Sequence, residues 1–172
     1  KVFFTTNHPN GAPFTSYPEL FRLLMDYEFR MEQLSLINEE STKISFLKDI
    51  KRTYSLYDIA IMTRSSPANI LGLKDRGSLK PGCIADISIY DPKQNIDQMF
   101  RKAKYVFKNG EEIVKNGKIL KYKKTSTIAA NINYEKSIVK NVENWTRRFY
   151  SLDKEEFKVD KNFFRKDNFI YS

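Results

Sequence analysis

The sequence predicts a mixed α/β chain, and three observations predict it. A short β-prone run at the N-terminus stops in a polar turn and gives way to helix-forming sequence. The middle of the chain switches to period-two patterning around two Asn-Gly dipeptides, and a helical apolar stripe follows near the end. The pattern divides the chain at two places. Residues 1–76 read as a strand followed by helices, residues 77–125 as a β meander, and residues 126–172 as a C-terminal helix with an aromatic arm.

The opening run, Val2 to Thr6, is a predicted strand. Asn7, Pro9, Asn10 and Gly11 behind it are all turn-formers, and Pro9 biases the residue before it away from helix. Ser16 and Glu19 have the spacing of a capping box, so a helix is expected to start there. Strand, polar loop and helix make a β/α unit, and chemistry in such units gathers at the carboxyl end of the strand. His8, the only histidine, sits at that point. A histidine beside a proline turn serves equally well as a hydrogen-bonded loop residue.

From Pro18, apolar residues at Leu20, Phe21, Leu23, Leu24, Tyr27 and Met31 form one helical stripe reaching to about Gln33. A second helix is expected around Ile44 to Ile50, and Ser55 with Asp58 marks the start of another. Ser66-Pro67 opens a short helix with proline at its first position, where no N–H is missed, and Gly72 closes it as a left-handed residue. Beyond Gly77 and Pro81-Gly82 the period becomes two. Residues 85–90 alternate as a half-buried strand. Tyr105-Val106-Phe107, Glu112-Ile113-Val114 and Lys118-Ile119-Leu120 are joined by Asn109-Gly110 and Asn116-Gly117, which suit turns with two positive φ angles. Ile138, Val142, Trp145 and Phe149 then mark one face of a helix over about 134–150, with Trp145 as a docking anchor. Phe157, Phe163, Phe164 and Phe169 in the tail read as an arm lying on another surface.

Composition sets the bounds. The chain has 172 residues, 41% hydrophobic and 14% aromatic, enough for a core. It contains no apolar run near the ~20 residues of a membrane helix and no signal peptide, and its one cysteine, Cys83, excludes an internal disulfide. A reducing cytoplasm is the expected compartment. The start at Lys1, inside a predicted strand, reads as the start of a fragment. The net charge of +9 is concentrated: residues 101–150 carry 13 Lys and Arg against 4 Asp and Glu. Such a run can steer nucleic acid or an acidic surface, but a solvated lysine-rich face is the preferred reading, and nucleic acid is not the expected partner.

These residues add up to a resemblance. The run from Thr63 to Leu73 (TRSSPANILGL), then Gly77 to Tyr90 (GSLKPGCIADISIY) and Val106 to Gly110, resembles the amidohydrolase superfamily where the chain leaves its (β/α)8 barrel. The opening Thr5 to Pro18 (TTNHPNGAPFTSYP) closely resembles the hydrolase-like subunit of formylmethanofuran dehydrogenase, as do Glu143-Asn144-Trp145 and Phe149-Tyr150. The resemblance covers most of this chain but only the C-terminal third of the family's length. It implies the last strand and helices of the barrel, followed by strands of a small β domain and a C-terminal helix.

The resemblance further implies a zinc-dependent enzyme that interconverts formate plus methanofuran and formylmethanofuran. In the family it works beside partner subunits that hold a molybdenum or tungsten pterin. The metal-binding histidines and modified lysine of the family belong to earlier strands, outside this chain. Asn7 falls at the family's strand-end aspartate, the position of a metal ligand and proton shuttle, with His8 and Asn10 expected at the mouth of the substrate pocket. An amide oxygen is a neutral, weaker ligand and no base near pH 7. On its own, Asn7 also reads as an Asx-type turn. Two alternatives stay open: another metal-dependent amidohydrolase of the cyclic-amidase type, and a non-catalytic assembly module or remnant.

Overall fold

A computed structural model of the chain describes residues 2–123, 126–129, 133–158 and 169–171. The described residues fall into two compact units, one spanning Lys1–Lys123 and the other Lys124–Ser172.

The first unit opens without the expected strand. Residues 2–6 join no sheet, and their one backbone anchor is the Phe4 N–H, which donates to Met62 O at 3.0 Å. A β-prone sequence becomes a strand only where neighbours pair its backbone. Among the described residues, the sheets lie elsewhere.

The first helical stripe is interrupted. Helix α1 runs Tyr17–Met25 and α2 runs Tyr27–Ser35. Asp26 separates them in an extended conformation, φ −117° and ψ 105°. Its N–H closes α1 on Arg22 O at 2.8 Å while its carboxylate accepts from Phe29 N at 3.0 Å, so one residue ends one helix and caps the next. The Ser16–Glu19 capping box does not form. Ser16 belongs to the tight turn Phe14–Ser16 and already has helical angles, φ −81° and ψ −8°, which turn its hydroxyl away from the capping position.

The helix expected at Ile44 to Ile50 is replaced by α3, Glu39–Lys43, and a single turn, Phe46–Asp49. Asn38 and Ser45 cap the two pieces. Side-chain caps every few residues favour short turns over one continuous helix.

Helix α4, Leu56–Ala60, starts at Ser55 with a complete capping box to Asp58. It runs into a π turn, Ile61–Ser65, and then α5, Ser66–Ile70. Gly72, φ 72°, closes the element: its N–H bonds Asn69 O, and the Leu73 N–H bonds Ala68 O. That pair of bonds is a Schellman motif. Ile59, Met62 and Ala68 are buried beneath these turns. Gly77, φ 78°, lies against the same helix, where a Cβ would come within 2.7 Å of the Ala68 methyl.

The sheet has the order β1-β2-β3-β4, all antiparallel, with β1 Ile87–Ile89, β2 Tyr105–Lys108, β3 Glu111–Lys115 and β4 Lys118–Ile119. Both Asn-Gly turns form as expected, with φ 53° and 75° at Asn109-Gly110 and 48° and 70° at Asn116-Gly117. A short helix between β1 and β2, α6 Ile96–Phe100, was not legible in the sequence; Asn95 caps it. Phe100 on α6 packs edge-on to Phe21 at 4.9 Å and to Tyr90 at 5.2 Å. Phe21 in turn meets Phe4 at 5.8 Å and Tyr17 at 5.6 Å. This aromatic cluster joins the N-terminal segment, α1, α6 and the end of β1 into one core.

In the second unit, β5 Thr127–Ala129 pairs in parallel with β6 Phe169–Tyr171, and α7 Ile138–Tyr150 lies between them in sequence. Helix α7 starts later than expected and stops at Ser151, φ 54°. Trp145 stacks on Phe149 and Tyr150 at 5.6 and 5.1 Å and stays 52% exposed, so it does not dock as a core anchor here. Phe157 of the aromatic arm is exposed, whereas Phe163 and Phe164 lie outside the described residues.

Arg30 is only 7% exposed and donates to Leu23 O, Ile50 O and Arg52 O at 3.1, 2.7 and 3.1 Å. Arg30→Met keeps the volume but strips three carbonyls of their donor. We expect it to lower unfolding stability by about 2–4 kcal/mol in urea titration of the full polypeptide; a change under about 0.5 kcal/mol would refute the clamp.

Candidate functional site

The expected site residues share one exposed turn. The Asn7 carbonyl accepts from the Gly11 N–H at 2.9 Å and the Ala12 N–H at 3.3 Å, which folds residues 7–11 back on themselves. The Asn7 side chain leans over Gly11, where a Cβ would lie 3.0 Å from Nδ2 and 3.2 Å from the Asn7 Cβ. Glycine therefore leaves room for the amide. His8 turns the other way. Its Nδ1 accepts from the Phe14 N–H at 3.4 Å, and its ring lies 4.6 Å from the Phe14 ring. With Nδ1 accepting, the proton of neutral His8 belongs on Nε2, which leaves a donor at the ring's outer edge. Asn10 lies at the exposed tip of the same turn.

The turn thus brings Asn7, His8 and Asn10 into one segment, and it is anchored at both ends. Phe4 holds the entry through Met62 O and through its ring contacts to Tyr17 and Phe21. Phe14, against His8, leads into α1. Among the described residues, no three His, Cys, Asp or Glu side chains converge to hold a metal ion.

A second feature escaped sequence reasoning. A groove of about 810 Å³ lies between the α4–α5 element and the segment from Leu73 to Tyr90. Its walls are apolar at Leu56, Ile61 and Leu79, and its charged groups are Arg64, Lys74, Arg76, Lys80 and Asp86. These residues are scattered widely in sequence, so no local motif announces them. Partial burial pushes the Asp86 carboxyl up, but its bonds to Lys108 and to the Asn109 N–H at 2.8 Å, helped by Arg76, outweigh burial and hold it below the usual carboxylate range. Asp86 therefore ties the start of β1 to the first Asn-Gly turn, and its work is structural.

Comparison with known proteins fixes the context. Residues 1–120 match the model of the amidohydrolase family. The chain belongs to the amidohydrolase family. It is 35% identical over 92% of its length to FhcA of the formyltransferase/hydrolase complex Fhc from Methylorubrum extorquens, and 37% identical over 95% to Protein FwdA of Methanocaldococcus jannaschii. These alignments cover 29% and 31% of the two relatives, so the chain spans under a third of their length. A crystal structure of the FhcABCD formyltransferase/hydrolase complex from Methylorubrum extorquens with methylofuran superposes with a TM-score of 0.78 at 34% identity, covering 99% of this chain and 32% of that one. The resemblance to the hydrolase-like subunit of formylmethanofuran dehydrogenase is borne out by these amidohydrolase relatives.

The Asp86 geometry carries a pH prediction. A carboxyl whose folded pKa is lowered adds stability above its unfolded value, near 3.8, and loses it as pH falls through the folded value. Asp86→Asn should lower the melting temperature at pH 7, and the gap between the two melting curves of the full polypeptide should close progressively as the pH falls below 3.8. A constant gap down to about pH 2 would remove the ionised carboxylate from the explanation.

Proposed function

We propose that the chain is part of the hydrolase subunit of a formylmethanofuran dehydrogenase or formyltransferase/hydrolase type complex, interconverting formate plus methanofuran and formylmethanofuran. The observation that carries this reading is the agreement in sequence and fold, over 99% of the chain, with a complex crystallised with methylofuran. The cyclic-amidase reading has no comparable support.

Within that reading the turn at residues 7–11 lines the mouth of the pocket. Hydrolysis of a formyl amide adds water across the carbonyl, breaks the C–N bond and returns formate and a free amine. The chain's own groups can serve this in limited ways. The Asn7 amide can accept and donate hydrogen bonds but cannot take a proton near pH 7. His8, its Nδ1 engaged by the Phe14 N–H, presents Nε2–H to the formyl oxygen or the incoming carboxylate. Asn10 adds a second neutral partner at the tip.

Zinc is the metal the family implies. The described residues do not fit a zinc cage: there is one histidine, one cysteine and no convergent acidic cluster. Zinc would be held by groups of the larger polypeptide, with Asn7 at most a neutral oxygen beside it. A molybdenum or tungsten pterin would reside in partner subunits of a cytoplasmic complex. No described helix is long and apolar enough to cross a membrane.

One observation favours a second reading, an assembly module without catalysis. Ile138, Val142, Trp145 and Phe149 on α7 are all about half exposed, as an apolar face meant for another surface would be.

The deciding experiment is formylmethanofuran hydrolysis by the full polypeptide, zinc-loaded, with Asn7 or with Asn7→Asp. Restoring a carboxylate base is expected to raise the rate about 10²-fold or more. No turnover by either form, with zinc and partner subunits still bound, would establish the assembly reading instead.

A further inference from the structure

The turn carrying Asn7, His8 and Asn10 depends for its placement on a backbone irregularity much further along the chain. In the π turn Ile61–Ser65, the Ser66 N–H donates to Ile61 O, five residues back, where an α-helix would have it donate to Met62 O. The next residue that could reach Met62 O in this wider turn is residue 67, and residue 67 is proline, which has no N–H. Met62 is buried, with 8% of its surface exposed, so its carbonyl needs a partner. The Phe4 N–H supplies it at 3.0 Å.

We propose that Pro67 is a positioning residue for the site turn. Together with the π turn it withholds both helical donors from Met62 O, and the free carbonyl fixes the backbone of Phe4 three residues before Asn7. The same proline in a regular α-helix would strip Thr63 O instead, since Ser66 would then bond Met62 O and no acceptor would face Phe4. The π turn therefore leaves Met62 O without a helical donor, and that is the carbonyl that receives the N-terminal segment. Thr63 Oγ and Ser65 Oγ support the wider turn by donating back to Ile59 O at 2.7 Å and Ile61 O at 3.5 Å. The ring of Phe4 then settles on Tyr17 and Phe21. The backbone bond sets where along the helix the segment lies, and the rings hold it down.

The inference deepens the reading of this turn as the pocket mouth, and amide exchange rather than turnover tests it. Its failure is thus separate from a failure of the assigned reaction. Pro67→Ala returns an N–H that can bond Met62 O in the π turn or allow the segment to relax to α-helix. In hydrogen exchange on the full polypeptide, the Phe4 amide should exchange about tenfold faster in Pro67→Ala. The melting temperature should stay level or rise, because an alanine suits the helix better than proline. Phe4→Ala, which removes the ring but keeps the N–H, should leave the amide at position 4 protected. Unchanged protection in Pro67→Ala would overturn the proposal. So would an equal loss across all amides, or a loss of protection at position 4 in Phe4→Ala.

Discussion

The helical part of the chain depends on a buried guanidinium. Arg30 is almost wholly out of solvent, and its terminal nitrogens bond carbonyls from two separate stretches, Leu23 in α1 and Ile50 and Arg52 in the segment leading to α4. Its Nε is buried without a partner, so the arrangement is not free of cost. Three carbonyls offset much of the desolvation of a charge that, among the described residues, has no carboxylate partner. The return is positional. Tyr54 N bonds Leu24 O at 2.9 Å next to the clamp, and Ser55 begins α4 in the following residue. Helix α4 runs straight into the π turn whose Met62 carbonyl receives the Phe4 N–H.

How much of this was legible in the sequence follows from how local the physics is. The Asn109-Gly110 and Asn116-Gly117 turns, the helix start at Ser55, and the Gly72 stop are each decided by a few consecutive residues, and each formed as expected. Where the outcome depends on partners far away, the sequence misled. Val2 to Thr6 has strand chemistry but finds a helix carbonyl rather than a sheet edge. The stripe from Leu20 to Met31 hides a break because Asp26 can both end and cap a helix. The turn that carries Asn7, His8 and Asn10 was readable from its turn-formers. The groove by Arg64, Arg76 and Asp86 was not, since only folding brings those residues together.

The basic run from residue 101 also gains a physical account. Lys104 pairs with Asp91 at 2.8 Å, Lys108 with Asp86, and Lys121 and Lys123 both reach Glu111, whose carboxyl they draw down to about 2. Each of these pairs joins neighbouring strands or turns of the small sheet. Edge strands need charge to discourage pairing with other chains, and lysine is well suited to it. Much of the local excess positive charge is thus a consequence of lacing a short meander at its edges. A polyanion groove would instead leave its cations aligned and uncommitted.

That leaves the chemistry of the turn. A carboxylate at position 7 would give the turn a base; asparagine has nearly the same shape but cannot take a proton near pH 7. Around it, Gly11 clears space for the amide, Phe14 orients the His8 ring, and Phe4 fixes the entry to the turn. The turn therefore presents neutral hydrogen-bonding groups, the Asn7 amide and the His8 ring, on a segment held at both ends.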